Sequence, residues 1–140
     1  MKTTKIINLM IFMIVLLPGF FSLIKAQDKY AFATWSNAGV SSNDDAFYLV
    51  VSDPVKNWYN MSEDQRKEWE TSFRISANRQ IGKDIMGNYK IPVPDGGSYE
   101  KFNSLSACKE RIQQVADKFK KDYSRYDKPA KVIYVNLYEY

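Results

Sequence analysis

Asp44 and Asp45 are adjacent carboxylates in the polar run Ser41-Ser42-Asn43-Asp44-Asp45, directly before an apolar stretch. Carboxylates are the main acid-base or calcium-binding equipment this composition offers, because the chain has no histidine and Cys108 is its single cysteine. Without histidine, Ser-His-Asp and Cys-His catalysis, histidine-containing zinc sites and the usual neutral-pH general base are excluded. A histidine-free hydrolase would need two acids about 5 to 9 Å apart, with Asp44, Asp45 and Asp53 as the candidates. Neighbouring residues of an extended chain point apart, so this loop reads as solvated. Serine paired with a lysine base is a further option, but no spacing singles out such a pair. No catalytic residue, metal ligand or cofactor is expected.

The remaining polar motifs have structural explanations. Asp95-Gly96-Gly97-Ser98 lacks the lysine and longer glycine frame of a phosphate loop and reads as a tight turn. Lys118, Lys120, Lys121, Arg125, Lys128 and Lys131 are interleaved with Asp117, Asp122 and Asp127, the pattern of a solvated helix end. Nucleic acid is therefore not an expected partner. Asn60-Met61-Ser62 matches a glycosylation acceptor, but Ser62 is better placed as a helix cap. Cys108 falls on an apolar helix stripe and reads as a buried, inert thiol.

The aromatic residues stand out, with 3 tryptophans, 10 tyrosines and 8 phenylalanines in 140 residues. Trp69, Phe73 and Phe119 sit at helical spacing and read as core. Trp58 and Tyr59 fall in a connection, and Tyr134, Tyr138 and Tyr140 share one face of a terminal strand. Rings with polar tips bind proteins or sugars because they gain contact area at low entropic cost. Trp58, Tyr59, Tyr134, Tyr138 and Tyr140 are accordingly the expected binding residues.

The elements that position these rings follow from periodicity. Leu105, Cys108, Ile112, Val115, Ala116, Phe119, Tyr123 and Tyr126 trace one stripe of a helix over about 105–126. A strand over 131–140 follows, with Ile133, Val135 and Leu137 on the side expected to cover that stripe. Ser62 and Gln65 form a capping box for an earlier helix that carries Trp69, Phe73, Ala77 and Ile81 to a stop at Gly82. Tyr30 to Ser36 reads as a strand. Ala46 to Ser52 is apolar almost throughout, as a central strand covered on both faces would be, and Asp53-Pro54 ends it. Tyr89 to Val93 reads as a short edge strand among prolines. The order β-β-α-(short β)-α-β predicts an α+β two-layer sandwich, a three- to four-stranded antiparallel or mixed sheet with both helices on one face.

Residues 1–26 have the layout of a secretory signal peptide: Lys2 and Lys5, an apolar run from Ile6 to Ile24 interrupted by Pro18-Gly19, and Ala26 at the cut. The alternative is an uncleaved anchor, since about 20 apolar residues span a bilayer. Residues 27–140 then form a single small domain without a membrane span. Lys2, Lys5 and Lys25 leave with the leader, so most of the formal charge of +4 leaves too. The lone cysteine permits no internal disulfide despite an oxidising destination. Together these features suggest an exported module, periplasmic or secreted from a bacterium, that does not catalyse a reaction and binds an envelope or secreted protein through exposed aromatics. A glycan or cell-wall binding domain using the same rings is the alternative, and the oligomeric state is left open. Expression with secretion should yield a product whose first residue is Gln27 by intact mass and N-terminal sequencing; retention of residues 1–26 in the membrane fraction would identify an anchor instead.

Overall fold

The computed structural model describes residues 28–38, 44–87 and 101–137. The expected leader over 1–26, the expected edge strand over 89–93, the expected turn over 95–98, Tyr138 and Tyr140 lie outside them. In chain order the elements are β1 (Tyr30–Ala31), β2 (Thr34–Ser36), β3 (Phe47–Ser52), β4 (Val55–Lys56), a 3-10 turn (Trp58–Asn60), α1 (Glu63–Ile81), α2 (Leu105–Tyr123) and β5 (Ala130–Val135). The chain is thus α+β, with a three-stranded mixed sheet ordered β2-β3-β5 and a two-stranded β1-β4 pair.

β3 is the centre of the main sheet. It pairs antiparallel with β2 through Trp35 opposite Val50, and parallel with β5 from Phe47 opposite Ala130 to Ser52 opposite Val135. Antiparallel neighbours can be joined by a short connection, whereas a parallel neighbour requires a long crossover. Both helices lie in that crossover. Tyr48 and Val50 point to a cluster with Trp35, Phe73, Ala77 and Val135. Leu49 and Val51 point the other way, to Phe32, Cys108, Ile112 and Phe119.

The two helices therefore flank opposite faces of the sheet, which corrects the expectation that they share one. Alternation along β3 is the reason: an apolar run with period 2 fills both faces, and each face needs its own cover. The expected pairing of the long helix with Ile133, Val135 and Leu137 changes accordingly. Those three residues pack with Trp69, Phe73, Ala77 and Ile81 of α1. The stripe of α2 is covered by Phe47, Leu49, Val51 and Val132.

Local signals set most element ends. The Ser62 hydroxyl accepts from the Gln65 amide at 3.2 Å, and the Gln65 side chain accepts from the Ser62 amide at 2.8 Å, completing the capping box. Gly82 ends α1 at φ 83°, a left-handed conformation that costs glycine little. Beyond it, the Asn78 carboxamide accepts from the amides of Ile85 and Met86, turning the chain back so that Met86 is fully buried. α2 ends at Tyr123 rather than Tyr126, though Tyr126 still stacks on Tyr123 and meets Phe47 edge-on.

The expected first strand is bent into β1 and β2 at Phe32-Ala33. β3 and β4 break opposite this bend, at Asp53-Pro54, where proline offers no donor. The Ser52 hydroxyl bridges the break, accepting from the Ala33 amide at 2.9 Å and donating to the Asp53 carbonyl at 2.9 Å.

Phe73 is completely buried, whereas Ile75, two residues later on the same helix, is 52% exposed. Phe73→Ala should therefore cost about 3–5 kcal/mol, and Ile75→Ala less than about 0.5 kcal/mol. Urea titration of both variants checks this.

Candidate functional site

The two ends of the β3-β5 pair carry different chemistry. At the amino end, Asp44 and Asp45 precede β3, Lys83 follows α1 and Lys131 is the second residue of β5. Lys83 Nζ lies 3.0 Å from Asp44 and 2.9 Å from Asp45, and Lys131 Nζ lies 3.4 Å from Asp45. Tyr48 donates its hydroxyl to Asp45 at 3.1 Å, and both lysines approach its ring at 5.5 Å from the centroid. Asn37, buried beside this group, donates to Asp44 at 2.9 Å and accepts from the Tyr48 amide at 2.7 Å.

This arrangement clasps three elements and does not prepare a carboxyl group for catalysis. The Lys83 ammonium, with help from the Tyr48 hydroxyl and Lys131, holds Asp45 well below the usual carboxylate range. The same carboxylates raise Lys83 above its ordinary value. Asp53 sits at the far end of β3, six residues and about 20 Å beyond Phe47 at roughly 3.3 Å per residue. Asp53 is thus too far from Asp44 and Asp45 to pair with either, and those two share the Lys83 ammonium.

At the carboxyl end, Ser52, Asp53, Val55, Lys56, Met61, Trp69, Val135 and Leu137 line a cavity of about 220 Å³. A second hollow of about 350 Å³ shares Met61, Trp69 and Leu137 with it and adds Gln65, Glu68 and Ser72 of α1. The two hollows, together termed the groove, adjoin through these shared apolar residues, whereas the side chain of Asp53, in line with Leu49 and Val51, faces the α2 side. Open sheets with parallel strands bind ligands beyond the carboxyl ends of those strands, and this groove occupies that position. Asp53 reaches it because its amide continues the ladder, donating to the Val135 carbonyl at 3.0 Å, before Pro54 turns the chain away.

Burial raises the Asp53 carboxyl above its ordinary value, with Lys109 opposing the shift. Lys109 belongs to an adjacent hollow lined also by Tyr30, Pro54 and Leu105, with Asp53 and Lys56 shared between the two. Lys56 is ion-paired with Asp28 at 2.9 Å. Cys108 lies elsewhere, buried under α2, where desolvation pushes its thiol up to about 11. Among the described residues, no three histidine, cysteine, aspartate or glutamate side chains converge as a metal site, and no helix is long and apolar enough to cross a membrane.

No family model, curated protein or solved structure matches the chain. The site must be read from its own geometry.

Of the described rings named from sequence, Trp58 and Tyr59 belong to one cluster and Tyr134 lies on β5. Trp58 is only 2% exposed, which removes it from the surface a partner can touch. The 3-10 turn rolls its indole into a small cluster with Ala31 and Val55, edge-on to Trp69 at 5.0 Å and beneath the Arg66 guanidinium. Tyr59 is half-buried, with Lys101 Nζ 4.3 Å from its ring centroid. Tyr134 is 44% exposed on β5, and Tyr138 and Tyr140 fall outside the described residues.

Trp69, which helical spacing assigned to the core, is the aromatic that lines the groove. It keeps one ring face on Phe73, at 5.3 Å and 10° between planes. Met61 and Leu137 have no motif that marks them. The legible signal was the apolar strand ending in Asp53-Pro54, which locates a carboxyl end.

The clasp gives a signed pH dependence. A lowered folded pKa means Asp45 stabilises the fold above its unfolded value of 3.8 and loses that contribution as pH falls through the lower folded value. Asp45→Asn should lower the urea midpoint at pH 7, and the gap from wild type should close progressively below about pH 4. Urea titrations between pH 2 and 7 read this directly.

Proposed function

We propose that this chain is an exported, non-catalytic binding module that engages a protein partner in the groove at the carboxyl ends of β3 and β5. The observation that carries this reading is that Met61, Trp69 and Leu137 line both of the adjoining hollows at this end of the sheet. A short segment of a partner can bury side chains on these residues while its polar groups remain at the rim. The acidic residues support binding rather than turnover, because the Asp44-Asp45 pair is neutralised by Lys83 at the opposite end of the sheet. The leader-like residues 1–26 support export to the periplasm or beyond.

This places the contact surface away from the tyrosine face expected from sequence. It also disfavours a glycan reading built on Trp58, whose ring is buried. Sugars stack on open flat rings, and Trp69 has one face taken by Phe73.

A photo-cross-linking side chain placed at Gln65, on the groove, and at Gln113, on the outer side of α2, separates this surface from the rest. In cells expressing the full chain, position 65 should give one discrete adduct and position 113 none. Met61→Glu should reduce the adduct at least about fivefold by charging the apolar lining. Equal labelling from both positions, or insensitivity to Met61→Glu, would contradict the proposal.

A further inference from the structure

β5 forms one edge of the three-stranded sheet, and among the described residues no strand pairs with its far side. The Phe47 amide donates to the Pro129 carbonyl, and the Asp53 amide donates to the Val135 carbonyl. Backbone groups of successive residues alternate between the two sides of a strand. Lys131, Ile133 and Val135 therefore face β3, and Ala130, Val132 and Tyr134 direct their amides and carbonyls outward. The opposite edge strand, β2, has 3 residues, whereas β5 has 6 and contains no proline. Its one charge, Lys131, is drawn toward Asp45 at 3.4 Å. The devices that blunt a sheet edge, a very short strand, a proline or a free-standing charge, are thus missing from β5. Its side chains are also incompletely covered: Ala130, Val132 and Ile133 are only partly buried and Tyr134 is 44% exposed.

A second copy of β5 matches this edge. About a two-fold axis normal to the sheet, the strand meets itself antiparallel. With the axis at Val132, Val132 lies opposite the second copy's Val132, and Ala130 and Tyr134 lie opposite the second copy's Tyr134 and Ala130. All three outward residues then occupy hydrogen-bonded positions, and no outward amide or carbonyl of either strand is left over. An axis nearer the carboxyl end would instead set Ala130 opposite residues beyond β5. The side chains agree with the Val132 register: the large Tyr134 faces the small Ala130, and Lys131 faces Ile133 rather than another lysine. We propose that the chain forms a two-fold dimer through β5, joining the two three-stranded sheets into one that runs from β2 of one copy to β2 of the other. Antiparallel pairing turns the two carboxyl strand ends in opposite directions, so the dimer carries one groove at each end. The pairing is independent of what that groove binds.

Disulfide cross-linking of the full chain in intact cells reads both the dimer and its register. Cys108→Ala serves as the background, because Cys108 lies in the same cluster as Val132. Val132→Cys should then form a homodimer under mild oxidation, since hydrogen-bonded antiparallel pairs hold their Cα atoms about 5.5 Å apart, within disulfide reach. Tyr134→Cys should give at least about fivefold less, because its counterpart is Ala130, and adding Ala130→Cys to it should restore the adduct. Gln113→Cys, exposed on α2, sets the level of chance collisions. Separately, two copies of the unmodified full chain with different tags after Tyr140 should capture one another. Tyr134→Pro removes an outward donor and leaves the β3 ladder intact, and should reduce that capture at least about fivefold. A Val132→Cys homodimer no stronger than that of Gln113→Cys or Tyr134→Cys would overturn the inference. So would an adduct with a different protein in its place, tagged copies that do not capture one another, or capture indifferent to Tyr134→Pro. Where a cysteine variant does not fold, capture between the unmodified copies decides.

Discussion

Val50 and Val51 are adjacent and both completely buried, on opposite sides of one strand. That constraint governs the rest of the molecule. A strand whose consecutive side chains are all apolar cannot have a wet face, so β3 requires cover above and below. Phe73 and Ala77 of α1 supply one cover, and Cys108, Ile112 and Phe119 of α2 supply the other. Each fully buried aliphatic or aromatic side chain is worth about 1.5–3 kcal/mol. The two helix stripes and the central strand consequently contribute much of the favourable side of folding, and no disulfide is available to replace them.

The same constraint creates the groove. Parallel pairing of β3 with β5 brings two carboxyl strand ends together, and the chain leaves β3 through Asp53-Pro54 just where α1 begins to cross the sheet. Trp69 is only partly buried at this end of the sheet. It stacks on Phe73, meets Trp58 edge-on and contributes the remainder of its surface to the groove. At the opposite end of the sheet Lys83 and Lys131 draw Asp44, Asp45 and Tyr48 into an ionic cluster. One end of the sheet is fastened and the other is left open.

Much of this was legible in the sequence wherever the determining interaction is local. The Ser62-Gln65 cap, the Gly82 stop, the four-residue stripe of α1 and the continuous apolar character of β3 each depend on neighbours within one turn or one strand. The shared helix face was a misreading that the sequence itself argued against, since the Ala46–Ser52 run already called for cover on both sides. Trp58 was misplaced for a different reason: a single ring in a three-residue turn has no periodicity to show which way it points. The groove was hidden because Asp53, Trp69 and Leu137 come from three separate elements, and only the parallel register of β3 and β5 brings them together.

Two-sided burial of β3 is the claim on which both the fold and the groove rest, and methyl-directed NOE spectroscopy of the protein tests it most directly. The Val50 methyls should report the rings of α1, Phe73 and Trp69, while the Val51 methyls should report Ile112 and Phe119 of α2. Observation of both helices from the same valine, with the other facing solvent, would place the helices on one side of the sheet, remove the groove and contradict the account.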